Sequence, residues 1–137
     1  MAVEFLDTNV IIRYLTKDNP DQSSRALAFL KRVETGEVGV TTCEGVLVEA
    51  VQVLSSKRLY ALPRQEVAAA LADVLGLRGF LLPEKQVYLR ALDLYASSSV
   101  DFVDALSVSH MERAGLQTIV SFDRDFDHFQ GLSREEP

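Results

Sequence analysis

Asp7 closes a short hydrophobic run, Val3-Glu4-Phe5-Leu6, and is followed by Thr8, Asn9 and the helix-like run Val10-Ile11-Ile12-Arg13-Tyr14-Leu15. The order reads as strand, sharp turn, helix. In open α/β sheets ligands bind just beyond the carboxyl ends of the strands. An acid at such a turn points into the crevice where a metal or phosphate would sit. Asp123 occupies the same kind of place after the run Gln117-Thr118-Ile119-Val120-Ser121, and Asp125 stands two residues further on. Asp101 and Asp104 open a helical segment at a spacing of three, which places both on one helix face. Glu49 is the only charged residue between Glu44 and Lys57. It shares a helix side with Val46 and Val53, where an unpaired carboxylate costs on the order of several kcal/mol. Mg²⁺ and Mn²⁺ prefer oxygen ligands. Two such ions about 3.5–4 Å apart can activate water and stabilise the leaving oxygen of a phosphodiester. Asp7, Glu49, Asp104 and Asp123 are therefore expected to converge within roughly 10 Å.

Each acid also has a bland use. Asp7 suits a helix N-cap. Asp101 and Asp104 approach a capping box. Asp123 suits a turn. Only the joint pattern, acids after two strands and on two helices of one domain, points beyond capping. Other chemistries are less well served. His110 and His128 are the only histidines, and neither is spaced with Cys43 as a zinc site would be. The seven glycines are scattered and form no phosphate loop.

The elements that must position these acids alternate along the chain. After the break at Lys17-Asp18-Asn19-Pro20, a helix runs from Pro20 or Asp21 to about Glu34, with proline and an acid in its first turn. Ala26, Leu27, Phe29, Leu30 and Val33 keep its helical period. Val38-Gly39-Val40-Thr41-Thr42 is a short strand. A largely buried helix covers about Glu44 to Leu54, a loop Ser55 to Leu62, and a further helix runs from Pro63 to the Gly76–Gly79 region. Phe80-Leu81-Leu82 is a strand, Lys85 to Ser97 a helix, and Ser97-Ser98-Ser99 a polar break. The last helix spans Asp101 to Gly115, and Gln117 to Ser121 forms a strand. The tail from Arg124 is polar apart from Phe126, Phe129 and Leu132. Strands alternating with helices imply an α/β domain with a mostly parallel central sheet of about four to five strands, flanked by helices on both faces. No repeat or linker divides residues 1–137, so one domain is expected.

The balance of 14 basic against 20 acidic residues, a net charge of −6, excludes a generic basic-patch binder of nucleic acid. It does not exclude RNA reached through metal ions. Without the four proposed ligands, 16 acids face 14 bases, a balance of −2. Apolar runs are far too short to span a membrane, and no export signal opens the chain. A lone Cys43 fits a reduced, cytoplasmic setting.

Four segments resemble the PIN-domain ribonucleases, and within them the toxins of VapBC-type toxin–antitoxin pairs. They are Phe5-Leu6-Asp7-Thr8-Asn9-Val10, Val46 to Leu54 around Glu49, Asp101-Phe102-Val103-Asp104-Ala105, and Ser121-Phe122-Asp123-Arg124-Asp125-Phe126. They stand in the family's order and cover nearly the whole chain. The stretch from Leu62 to Ser97 contributes little. The resemblance implies Mg²⁺- or Mn²⁺-dependent endonucleolytic cleavage of RNA. It assigns the metal to Asp7, Glu49, Asp104 and Asp123, with Thr8, Asn9, Asp101, Ser121 and Asp125 in support and Glu44 as an alternative second acid. It also implies a homodimer and a cognate antitoxin protein that blocks the acidic pocket.

Two other classes compete. A phosphatase or phosphotransfer domain could use Asp7 as nucleophile. The haloacid-dehalogenase pattern would want an acid where Asn9 stands, and a receiver-like domain would want a late lysine, whereas the last is Lys85. A non-catalytic binding module on the same fold is the third, since fold does not fix function. The presence of all four acids weighs against it.

Overall fold

The computed structural model describes residues 2–137, which form two compact units divided between Lys85 and Gln86. The strands expected of the sheet form a parallel pair in each unit.

The first unit begins with β1 (Val3–Phe5), α1 (Thr8–Leu15), α2 (Pro20–Glu34) and β2 (Gly39–Thr41). It continues with α3 (Glu44–Ser55) and α4 (Arg64–Leu75). β1 lies parallel to β2, with Val3 opposite Gly39 and Phe5 opposite Thr41. The expected strand at Phe80 is reduced to a single parallel bridge with Val40. α1 packs on α2 and α3, and α3 on α4. The core holds Ile11, Leu30, Val33, Val40, Leu54, Leu71, Leu75 and Phe80, all essentially inaccessible. All but Val40 and Phe80, which pair with each other, lie on the buried stripes of the helices.

Local chemistry sets the helix limits. Asn19 caps α2 by accepting from the Gln22 N–H at 3.1 Å, and Pro20 fills a first-turn position where no N–H is needed. Gly36, at φ +79°, ends that helix in the left-handed region. The Tyr60 hydroxyl donates to Asp18 at 2.8 Å and so ties the loop after α3 to the α1–α2 turn.

The second unit contains α5 (Lys85–Ala96, whose first residue belongs to the first unit), α6 (Phe102–Ala114), β3 (Thr118–Val120), a 3₁₀ turn (Arg124–His128) and β4 (Ser133–Glu135). α5 meets α6 through Ser109, whose hydroxyl donates to the Val87 carbonyl at 2.6 Å, and through the Arg90–Glu112 ion pair at 2.9 Å. Tyr95 and Phe102 meet edge to face at 5.8 Å, a favoured aromatic geometry. Gly115, at φ +73°, closes α6. β4 is an addition to the expected elements. It runs parallel to β3, with Thr118 opposite Ser133 and Val120 opposite Glu135. Phe126, buried, anchors the 3₁₀ turn beside it.

Among the described residues no helix is long and apolar enough to cross a membrane.

Candidate metal site

Asp104, Asp123 and Asp125 each offer a carboxylate oxygen, and these three atoms lie within 4.8 Å of one another. Two segments of the second unit bring them together. Asp104 sits in the first turn of α6, half-buried. Asp123 precedes the 3₁₀ turn and Asp125 lies within it, both exposed.

The capping explanations divide the acids. Asp123 does cap, since its Oδ1 accepts from the Asp125 N–H at 2.9 Å. Its own N–H donates to the Ser121 hydroxyl at 2.9 Å, so Ser121 fixes the backbone that aims this carboxylate. Asp101 holds the N-cap position of α6 in extended backbone, yet its side chain makes no capping hydrogen bond. The capping box is therefore not formed, and the Asp101 and Asp104 carboxylates are left for other uses.

Electrostatics marks Asp104 out. Burial pushes its carboxyl above the usual range, and repulsion from Asp123, then Asp101, then Asp125 pushes it further the same way. The positive end of α6 acts in the opposite sense and is outweighed. Every charged group that shifts Asp104 is a carboxylate. A set of hard oxygen donors this close, with Asp104 held above its usual range by burial and by the neighbouring carboxylates, suits a divalent cation. The residues present therefore fit Mg²⁺ or Mn²⁺.

A pH prediction follows for the metal-free protein. The unfolded chain ionises Asp104 near the ordinary 3.8, and the folded chain does so only at higher pH. Between those points the folded state binds more protons, so this group's contribution to stability declines as pH rises through the folded value. Asp104→Asn should accordingly melt higher than the wild type at neutral pH without metal. That advantage should shrink as pH falls toward the ordinary carboxylate range. Melting curves across pH in EDTA check both statements, and a constant difference at all pH values would contradict them.

Asp7 and Glu49 belong to the first unit. Asp7 is exposed at the N-cap position of α1 and, like Asp101, makes no side-chain capping bond. The turn beneath it is firmly held. The Leu6 N–H donates to the Thr41 carbonyl, and the buried Thr42 hydroxyl donates to the Leu6 carbonyl, both at 2.8 Å. A cleft of about 490 Å³ opens beside Asp7, with Asn9, Arg13, Gln22, Arg25 and Phe29 among its walls. Thr8, proposed in support, is instead buried. Asn9 is exposed in the cleft wall.

Glu49 corrects an expectation. α3 buries Val46, Leu47, Ala50, Val51 and Leu54, while Glu49 is exposed. At about 100° per residue, Glu49 falls about 130° from the centre of that stripe. Val46 lies at the near margin of the stripe, and Val53 is only half-buried. The alternation of apolar residues on nearly every side hid which side faces in. No burial penalty therefore applies to Glu49. Glu44 opens α3, as expected of a helix-start acid.

The arrangement is thus an α/β protein carrying a carboxylate cluster suited to a hard cation. The PIN domain profile matches residues 5–132. The chain belongs to the PIN domain family. No curated protein matches it. Among solved structures it is similar to the crystal structure of Mycobacterium tuberculosis VapC20, described as a Sarcin-Ricin loop cleaving toxin. The identity is 19%, with 92% of this chain and 93% of that chain covered, at a TM-score of 0.39.

Proposed function

We propose that this PIN-domain protein is a divalent-metal-dependent endoribonuclease and the toxin of a type II toxin–antitoxin pair. The observation that carries the reading is the grouping of Asp104, Asp123 and Asp125 within 4.8 Å, with the Asp104 carboxyl raised by burial and by its neighbours, in a chain of this family. Asp104, Asp123 and Asp125 would hold Mg²⁺ or Mn²⁺. Asp7 and Glu49 are proposed as the remaining acids of the reaction. When bound, the cation would supply water activation and stabilisation of the leaving oxygen of a phosphodiester.

The chain's own residues have definable tasks. Asp104, fixed on the first turn of α6, offers a carboxylate whose surroundings favour a bound cation over solvent. The Ser121 hydroxyl and the Asp125 N–H hold Asp123 in one orientation. Asp101 adds negative charge behind Asp104 and so strengthens cation binding. Without a cation, the same charges repel RNA phosphates. This reconciles a protein of net charge −6 with a nucleic-acid substrate. A cognate antitoxin, a homodimer and a cytoplasmic location complete the proposal.

Purified protein incubated with total cellular RNA should cleave it with Mg²⁺ or Mn²⁺ and not with EDTA. Absence of cleavage under every metal condition would sink the nuclease reading. Binding can be read separately from cleavage. A ligand that binds only the folded state stabilises it by about 2.7 kcal/mol at a hundredfold excess over its Kd. Saturating Mn²⁺ should therefore raise the melting temperature by several degrees. An unchanged melting temperature would count against a metal site.

A further inference from the structure

Arg134 lies in the three-residue strand β4, in the mostly polar tail. Its side chain is only 13% exposed. Nε and Nη2 donate to the two carboxylate oxygens of Asp127 at 2.9 and 3.3 Å, and Nη1 donates to the Ser121 carbonyl at 3.1 Å. Nη1 also reaches Glu136 at 3.2 Å. One guanidinium therefore grips both ends of the segment from Ser121 to Asp127. Asp123 and Asp125 both lie between its two grips.

We propose that Arg134 is the positioning residue of the metal site, holding the Ser121–Asp127 segment in the shape that brings Asp123 and Asp125 to Asp104. The proposal rests on the reading of those carboxylates as metal ligands. Three features support it. The planar fork of arginine makes two parallel bonds to one carboxylate and still spares a donor for a carbonyl, which lysine cannot do. Asp127 and Glu136 occupy the positive charge, so Arg134 can shape the segment without competing as counter-ion for the cluster. Backbone pairing adds to the clamp: the Ser121 N–H donates to the Glu135 carbonyl at 2.9 Å, next to Arg134 itself.

Partners that orient ligands typically change metal affinity by about 10–100-fold when removed. Mn²⁺ titration by calorimetry of wild type, Arg134→Ala, Arg134→Lys and Asp127→Asn tests the proposal, with Arg90→Ala as control. Arg90→Ala removes an exposed α5–α6 ion pair that shares no partner with the clamp. Arg134→Ala should weaken Mn²⁺ by about 10–100-fold. Arg134→Lys should recover part of that loss. Asp127→Asn, which keeps the acceptor oxygen but not the charge, should fall between Arg134→Ala and the wild type even if Arg134→Ala folds poorly. Arg90→Ala should leave Mn²⁺ affinity unchanged. RNA cleavage by the Arg134 variants should fall in kcat with KM for RNA preserved. Wild-type Mn²⁺ affinity in Arg134→Ala or Asp127→Asn would overturn the positioning role and leave the metal site standing. An equal loss in Arg90→Ala would also overturn it, by showing a general effect of destabilisation. If the wild type itself binds no Mn²⁺, the metal-site reading fails and takes this inference with it.

Discussion

Asp104→Asn is expected to lower RNA cleavage by about 10²–10³-fold, the usual scale for removing one group that stabilises developing charge in a transition state. The substitution keeps the side chain's shape and removes one formal charge. Asp104 is half-buried among carboxylates that raise its pKa, so the metal-free fold should tolerate the change or gain from it. RNA binding should persist or tighten, because a negative charge facing the phosphates is gone. The competing view makes Asp104 a helix-start residue. On that view the substitution costs at most about 1 kcal/mol of stability and leaves cleavage intact. Cleavage rate, RNA affinity and melting temperature measured on one variant separate the two. Asp123→Asn should lose cleavage as well while keeping the cap on the 3₁₀ turn, because its Oδ1 can still accept from the Asp125 N–H. Full cleavage by Asp104→Asn would end the role assigned to this residue.

The parts of this site that could be read from the chain are those carried by local rules. The spacing of Asp101 and Asp104, and the Asp123–Asp125 pair after a strand, were visible because helix starts and strand ends have compositional marks. The helices were visible through their periods, and the end of α6 through Gly115. What stayed hidden depends on partners distant in sequence or on geometry that composition does not encode. Asp7 and Asp101 occupy cap positions without capping, and only coordinates reveal that. Glu49 looked buried because α3 is apolar on most sides, so the inward stripe had no contrasting polar face to define it. β4 had no apolar alternation to mark it. Its place is set by backbone pairing with β3 and by the ion pairs of Arg134, and a tail reading Ser133-Arg134-Glu135 carries neither signal.

Gly79→Ala is expected to destabilise the first unit by about 3 kcal/mol or more, at or beyond the upper end of ordinary overpacking. In sequence Gly79 is one of two glycines that end a helical stretch, which suggests no more than a stop signal. In the structure its backbone is enclosed. Its N–H donates to the Val33 carbonyl at 2.9 Å, and its carbonyl accepts from the Val40 N–H at 2.8 Å. A Cβ at this position would stand 2.2 Å from the Val38 carbonyl oxygen and 2.8 Å from that of Val33. Those are backbone atoms at the end of α2 and the approach to β2, so relief requires moving the chain rather than rotating a side chain. The movement would strain both hydrogen bonds and displace Phe80, which is fully buried next door. A domain's whole stability is only about 5–15 kcal/mol, so the variant should unfold at much lower urea or fail to accumulate. Gly115→Ala supplies the contrast. A Cβ there meets nothing within 4 Å, and the cost is confined to its φ of +73°, about 1–2 kcal/mol. Urea unfolding of both variants checks the ranking. A loss below about 1 kcal/mol for Gly79→Ala would mean that the α2–β2 approach yields easily, and the tight packing drawn for this corner of the unit would be wrong.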